Sequence, residues 1–427
     1  MNAVVSPSQL KGIITAPASK SSMQRACAAA LIRHGETVLY NPGTSNDDKA
    51  ALNIITQLGA NYEAQGDKII IRSNGVKALG DTINCHESGL SIRMFTSIAA
   101  LSDKKITVIG SGSLSKRPMD FFDEVLPQLA VQVKTNEGYL PLEITGPLQP
   151  KNILVDGSLS SQYLTGLLFA YSAANANDVT IKVKNLSSRP YVDLTLKVLE
   201  AHGLKVPENK NYEEFYFSGS MVNNRQLTVN YTVEGDWSGG AFLLVGAAIA
   251  GNVTVKGLDL SSTQADKAVL QALMQAGANI SISEEEMEIK ESKLKAFHFN
   301  ATDCPDLFPP LVALASYCEG TTVIEGTNRL THKESNRALS LQQEFGKMGV
   351  QIKLQDDLML IQGKSQVKGG EVSSHNDHRI AMATAVAGLK ADKDLVITGA
   401  EAVDKSYPQF WDHIQLLGAK VSTTDNK

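Results

Sequence analysis

A chain of 427 residues with 43% hydrophobic and 20% charged side chains is long enough for two domains with large cores, and its composition excludes a disordered or fibrous protein. The net charge of −5 argues against general affinity for nucleic acid or acidic membranes, so any anion site must be a local concentration of basic residues. The opening MNAVVSPSQL has no charged region followed by an apolar run, so no signal peptide is expected, and no apolar stretch reaches the ~20 residues of a membrane span. The four cysteines (Cys27, Cys85, Cys304, Cys318) form no CxxC pair, which points to reduced thiols in a cytoplasmic protein.

The first predicted helix begins at ASKSSMQRA, just after Pro17, and continues into CAAALI. Ser19 or Ser21 would cap it, yet capping favours an acidic first turn and this one carries Lys20 and Arg25. The sharper reading is an anion site, because a helix N-terminus offers free N–H groups and a partial positive charge. The strand TVLYN follows, and then a second helix that ends at Gly59 in ITQLGANYE.

That order returns five more times. Unit two has a helix opening at ESGLSIR (Ser88, Gly89, Arg93), the strand ITVIG, the loop LSKRP (Lys116, Arg117) and LPQLAVQVK, with Leu129 in the place of the glycine. Unit three has SLSSQ (Ser160, Ser161, Gln162), VTIKVKN, LSSRPY (Ser188, Arg189, Tyr191) and LEAHGLKV with Gly203. Unit four has GDWSGGAFLLVGAAIAG, VTVKG and LMQAGANISI with Gly277. Unit five has DCPD ending at Asp306, then TTVIEG, LTHKESNR (Lys333, Glu334, Arg337) and FGKMGVQIKL with Gly349. Unit six has NDHRIAMATAVAGL (His378, Arg379), LVITG, AVDKSYP (Lys405) and IQLLGAKVST with Gly418. A glycine closing each second helix fits a left-handed C-terminal cap.

The landmarks recur every 69 to 74 residues, longer than the repeat of an ordinary solenoid. Six such units exceed a single core, so they imply two halves of three, breaking near 232–240 around VEGDWSGG. The first helix of each unit is apolar on nearly every face and is expected to be buried, in a closed three-fold arrangement. A buried helix that starts with Lys, Arg or Asp must open into a cleft or leave its charge uncompensated. Three such N-termini in each half, joined by the basic loops, would make one cationic cleft for a small molecule with several anionic groups. Asp306 and Glu334 interrupt the basic set, either as counter-ions or as proton acceptor and donor between two anionic substrates. His375 and His378 form an HxxH without a third ligand in a fitting pattern, so no metal is expected there.

KGIITAPASKSSMQR, KRP, DGSLSSQ, SRPYVDLTL, HKES…R, NDHRIAM and DKSYP occur in an order and at spacings that resemble the 3-phosphoshikimate 1-carboxyvinyltransferases, a family of enolpyruvyl transferases, over nearly the whole chain. The resemblance implies an α/β fold of two inverted α/β barrel domains, each built from three βαβαββ units with buried helices. One domain would span 19–234 and the other 1–18 plus 235–427, with the active site in the cleft between them. It implies transfer of the enolpyruvyl group of phosphoenolpyruvate to the 5-hydroxyl of shikimate 3-phosphate by a cytoplasmic monomer, without metal or organic cofactor. Carried across, Asp306, Glu334 and Lys20 are catalytic. Shikimate 3-phosphate would meet Lys20, Ser21, Arg25, Ser160, Ser161, Gln162, Ser188, Tyr191, Asp306 and Lys333. Phosphoenolpyruvate would meet Lys20, Gly89, Arg117, Gln162, Arg337, His378, Arg379 and Lys405.

Two positions depart from the family. Glu87-Ser88-Gly89-Leu90 stands where Asn-Ala-Gly-Thr is frequent, and Asn336 stands where Asp is usual, which is expected to loosen the tether on Arg337. The related UDP-N-acetylglucosamine 1-carboxyvinyltransferases usually carry a cysteine or aspartate in the loop before RP, and GSGSLSKRP has neither. A non-catalytic two-domain anion-binding protein would explain the basic residues but not Asp306 and Glu334 among them. APASKSS also lacks the GxxxxGK[ST] pattern of a P-loop.

Overall fold

The computed structural model describes residues 1–219, 227–331, 333–363 and 366–424. They form two compact units, one of Lys20–Val233 and one of Met1–Ser19 with Glu234–Lys427. Each unit holds three four-stranded mixed sheets of a single design. In one of them Thr82–Asn84 runs parallel to Lys105–Ile109, which pairs antiparallel with Tyr139–Thr145, and that strand pairs antiparallel with Gln132–Asn136. Helix Gly89–Ala99 joins the first two strands, and the short helix Asp120–Val125 with the turn Leu126–Leu129 leads to the last two. The unit is therefore βαβαββ.

Three strands reach their sheets from distant parts of the sequence. Thr228–Thr232 adds in parallel to His34–Tyr40, and Leu10–Thr15 adds in parallel to Gly251–Lys256. Asn2–Ser6 lies between Leu395–Thr398 and Lys420–Thr424, antiparallel to both. Strand patterning follows burial: Leu140, Leu142 and Ile144 of Tyr139–Thr145 point inward while their neighbours are more exposed.

The core of the Lys20–Val233 unit is built on three helices that pack on one another, Lys20–Ile32, Gly89–Ala99 and Ser161–Ala173. Trp237–Ala250, Phe308–Ala315 and His378–Gly388 do the same in the other unit. Every residue of Trp237–Ala250 is buried, as expected of a helix with no polar face. Close approach has a sequence cause at Gly166, where a Cβ would stand 2.7 Å from the Met94 carbonyl and 2.8 Å from that of Arg93. Among the described residues no helix is long and apolar enough to cross a membrane, and all four cysteines are free and buried.

The cap glycines adopt the left-handed backbone that the repeat demands, from φ 64° at Gly203 to φ 106° at Gly59. In unit two the left-handed residue is Ala130 (φ 64°, ψ 21°) rather than Leu129, so the reading of that copy slips by one residue. The hydrophobic Leu129 side chain goes to the core instead. An L-residue in this conformation is strained by about 1–2 kcal/mol, and glycine relieves it at a smaller cost in chain entropy. Ala130→Gly is therefore expected to raise stability by about 0.5–1 kcal/mol in denaturant unfolding. A lower midpoint at unchanged slope would refute it.

Candidate active site

In the Lys20–Val233 unit the N-terminal residues of the three core helices gather polar groups. Arg25 is 1% exposed and is held by three partners: its Nε donates to Thr195 Oγ1 at 3.0 Å, Nη1 to the Ser21 carbonyl at 3.0 Å and Nη2 to the Tyr191 carbonyl at 3.4 Å. The guanidinium also stands 5.8 Å from the centre of the Tyr191 ring. Arg25 thus brings Ser21 and Tyr191 together, although they are far apart in sequence. Ser160 caps Ser161–Ala173 by accepting from the Gln162 N–H at 3.2 Å. Ser188 lies next to Ser187, whose Oγ donates to the Gly157 carbonyl at 3.1 Å, so the loops carrying Ser160 and Ser188 adjoin.

Gly89 begins its helix against two guanidinium groups. A Cβ there would stand 2.7 Å from Arg117 Nη1 and 3.3 Å from Arg93 Nη1, so only glycine leaves both in place. Arg93 Nη1 also donates to Gln162 Oε1 at 2.9 Å, which links the Gly89 and Gln162 helix starts. Lys20 Nζ pairs with Asp47 Oδ2 at 3.0 Å. Beside that pair lies Asp48, 1% exposed, which accepts from the Ser45 N–H at 3.0 Å and the Ser45 hydroxyl at 2.6 Å as part of a capping box.

Burial, reinforced by Asp47 and opposed by Ser45 and Lys20, pushes the Asp48 pKa up to about 7. An unfolded aspartate titrates near pH ~4, so between about pH 4 and 7 the folded chain keeps a proton that the unfolded chain releases. Stability from this group is therefore present at low pH and is lost as the pH rises through that window, by at most about 4 kcal/mol. Asn cannot ionise and keeps an acceptor for Ser45. Relative to the parent, Asp48→Asn is expected to melt higher at pH 8 and nearly the same at pH 4, whereas a pH-independent difference would overturn this.

The second set lies in the unit of Met1–Ser19 and Glu234–Lys427 and centres on Arg337, whose side chain is 1% exposed. Its Nη1 meets Asp306 Oδ1 at 2.8 Å, Nη2 meets Glu334 Oε2 at 2.6 Å and Nε meets Asp377 Oδ2 at 2.9 Å. Asp306 also binds Lys333 Nζ at 3.2 Å through Oδ1 and Arg379 Nη2 at 3.2 Å through Oδ2. Lys405 Nζ donates to the Asn376 carbonyl at 2.7 Å, beside Asp377. His378 is buried, with its Nδ1 3.9 Å from Asp377 Oδ1. Asp306, Lys333, Glu334, Arg337 and Arg379 therefore form one ion-pair network. With Asp377 it balances three cations against three carboxylates.

That balance sets the protonation states. Burial alone would raise the Asp306 pKa, but Arg379, Lys333 and Arg337 outweigh it and hold the carboxyl well below the usual range. Burial lowers the Lys333 pKa against the pull of Asp306. Burial would lower the Arg337 pKa, but Asp377, Glu334 and Asp306 drive it upward. Behind Asp306 lies Asp266, fully buried and hydrogen-bonded to the Ser238 hydroxyl, with its pKa pushed up to about 6 by burial and by Asp306. An anionic ligand entering this set must compete with Asp306 for Arg337, Arg379 and Lys333.

Asn336 does not loosen Arg337. It caps helix Arg337–Lys347 by accepting from the Leu339 N–H, while three other carboxylates hold the guanidinium. Three residues left out of the sequence-derived site join these networks: Asp47, Arg93 and Asp377. Each adjoins a polar helix start in the sequence, and for Asp377 and Asp47 the signal was a carboxylate in NDHR and SNDDK. Among the described residues, no group of three or more His, Cys, Asp or Glu side chains could hold a metal ion.

A family model described as EPSP synthase (3-phosphoshikimate 1-carboxyvinyltransferase) matches residues 4–414. The 3-phosphoshikimate 1-carboxyvinyltransferase of Clostridium novyi (strain NT) is 36% identical over 427 residues, covering 98% of this chain and 97% of that protein. The one from Methanocorpusculum labreanum is 36% identical over 424 residues, covering 98% of this chain and 99% of that protein. Among solved structures, EPSP synthase from Acinetobacter baumannii superimposes with a TM-score of 0.81 at 28% identity, over 99% of this chain and all of that one. The enolpyruvyl transferase NikO from Streptomyces tendae shares the fold, with a TM-score of 0.78 at 15% identity over 99% of this chain and 98% of that one.

Proposed function

The chain belongs to the EPSP synthase (3-phosphoshikimate 1-carboxyvinyltransferase) family, and from that premise we propose how its residues move an enolpyruvyl group from phosphoenolpyruvate to the 5-hydroxyl of shikimate 3-phosphate, releasing phosphate. The observation that carries the reading is the network around Asp306, where two candidate proton-transfer groups and three cations share one small volume.

Ser21 and Arg25 hold the shikimate carboxylate, with Tyr191 and Gln162 along the ring. Ser160, Ser161, Ser188 and Lys333 take the 3-phosphate. Lys20, the Gly89 N–H, Arg117, Gln162, Arg337, His378, Arg379 and Lys405 surround phosphoenolpyruvate. Both substrates are multiply anionic, and forked guanidinium groups match carboxylate and phosphate geometry.

In the forward step Glu334, protonated as phosphoenolpyruvate draws Arg337 away from it and assisted by Lys20, gives a proton to C3 of phosphoenolpyruvate, making a methyl group and leaving C2 electron-poor. The 5-hydroxyl oxygen bonds to C2 while Asp306 takes its proton. The resulting tetrahedral intermediate then returns a methyl proton to Glu334, and the C2–O bond to phosphate breaks, the leaving phosphate taking up the proton that Asp306 removed. The carbon skeleton gains a C–O bond and loses one, so no oxidant or reductant enters the balance. The same reading makes the enzyme a cytoplasmic monomer.

A phosphate-release assay tests the reaction. Release is expected only when phosphoenolpyruvate and shikimate 3-phosphate are both present. Release from phosphoenolpyruvate alone, or none with the pair, would overturn it.

A further inference from the structure

Helix Arg337–Lys347 and the loop at residues 373–377 meet at two places. At the helix N-terminus Arg337 binds Asp377. Two turns further on, a second junction forms that the proposed chemistry does not use. Glu344 is fully buried there; its Oε1 accepts from His375 Nε2 at 2.7 Å, and its Oε2 accepts from the Ser373 N–H at 2.8 Å and from Lys347 Nζ at 2.7 Å. Burial would raise the Glu344 pKa, but Lys347, Ser373 and His375 together hold it below its usual value. An ionised carboxylate can only accept, so His375 donates from Nε2.

His375 sits in an unusual stretch of backbone. It and Asn376 are successive non-glycine residues in the left-handed region, at φ 52° and 56°. Such a turn persists only where its surroundings over-determine it. Here Glu344 holds the His375 side chain and Lys405 holds the Asn376 carbonyl. Asp377 follows directly; it caps helix His378–Gly388 by accepting from the Arg379 N–H at 3.0 Å and receives the Arg337 guanidinium. Any change in the turn would re-aim both arginines.

We propose that Glu344 and His375 form a positioning clamp that fixes the left-handed turn at residues 375–376 and so sets Asp377, Arg337 and Arg379 for binding phosphoenolpyruvate. The clamp rests on the assignment of Arg337 and Arg379 to that substrate. Neither Glu344 nor His375 touches a reacting group. The effect falls on one substrate, because the residues assigned to shikimate 3-phosphate lie mostly in the other unit.

Steady-state kinetics of the full chain test it. His375 is partly exposed, so His375→Ala is expected to fold. Its KM for phosphoenolpyruvate should rise about tenfold, with kcat and the KM for shikimate 3-phosphate within about twofold of the parent. His375→Gln keeps a donor of similar reach and should restore most of the loss. An unchanged KM for phosphoenolpyruvate in His375→Ala, an equal rise in both KM values, or no rescue by Gln overturns the clamp. Arg379→Ala run alongside separates the two failures: if it raises that KM and His375→Ala does not, only the clamp falls; if neither moves it, the site assignment falls with it.

Discussion

Asp306→Asn is expected to lower turnover by about 10²–10⁴-fold while shikimate 3-phosphate still binds. In the structure Asp306 is held by Arg337, Lys333 and Arg379, and its pKa lies well below the carboxylate range. A carboxylate so stabilised is a poor base. On the proposed assignments substrate binding would change its surroundings, since the groups of phosphoenolpyruvate would compete for Arg337 and Arg379 and the 3-phosphate for Lys333. Each cation drawn away raises the Asp306 pKa toward the value a general base needs. Asn has nearly the same shape and can still hydrogen-bond, but it cannot accept the proton. The counter-ion reading makes the opposite prediction: binding and stability change together, and bound substrate still turns over. Calorimetric binding of shikimate 3-phosphate, paired with single-turnover kinetics on the same variant, separates the two. A near-parent single-turnover rate would end the general-base assignment.

What was legible in the sequence is what local pattern encodes. The six-fold recurrence could be read because a cap glycine and a helix without a polar face are fixed by backbone geometry and burial, whatever else they touch. The copy at Ala130 was misplaced by one residue because alanine gives no sign that it adopts a left-handed backbone. Partner choice was far less legible. Nothing in NAVVS says that Asn2–Ser6 joins Leu395–Thr398 and Lys420–Thr424 at the far end of the chain. The charged residues follow the same rule. Lys20 and Arg25 stood out at a helix start and Arg337 in a basic loop, yet their partners Asp47, Thr195 and Asp377 are set by which elements the fold brings together. The turn at His375 and Asn376 carries no glycine, and the only trace of its left-handed backbone is that His and Asn enter that region more readily than most residues, too weak a signal to read in advance.

Arg337→Ala is expected to cost about 3–5 kcal/mol, because it removes one partner of a buried pair and leaves the other charge uncompensated. Arg337 is the common partner of Asp306, Glu334 and Asp377, and Asp377 has no exposed surface at all. For a unit of this size each kcal/mol moves the melting temperature by roughly 2–4 °C, so a fall of about 10 °C is expected. Arg337→Lys should recover little, because an ammonium cannot reproduce a fork that reaches three carboxylates in fixed directions. The cause can be isolated with Asp377→Asn, which keeps a capping acceptor for helix His378–Gly388 but removes the most deeply buried of the three charges. Placed in the Arg337→Ala background, it should raise the melting temperature; placed in the parent, it should lower it, because there it strips Arg337 of a partner. That reversal of sign is the signature of an orphaned charge. If Asp377→Asn instead lowers stability in both backgrounds, the cost of losing Arg337 lies in packing, and the balanced network is not what holds this part of the unit together.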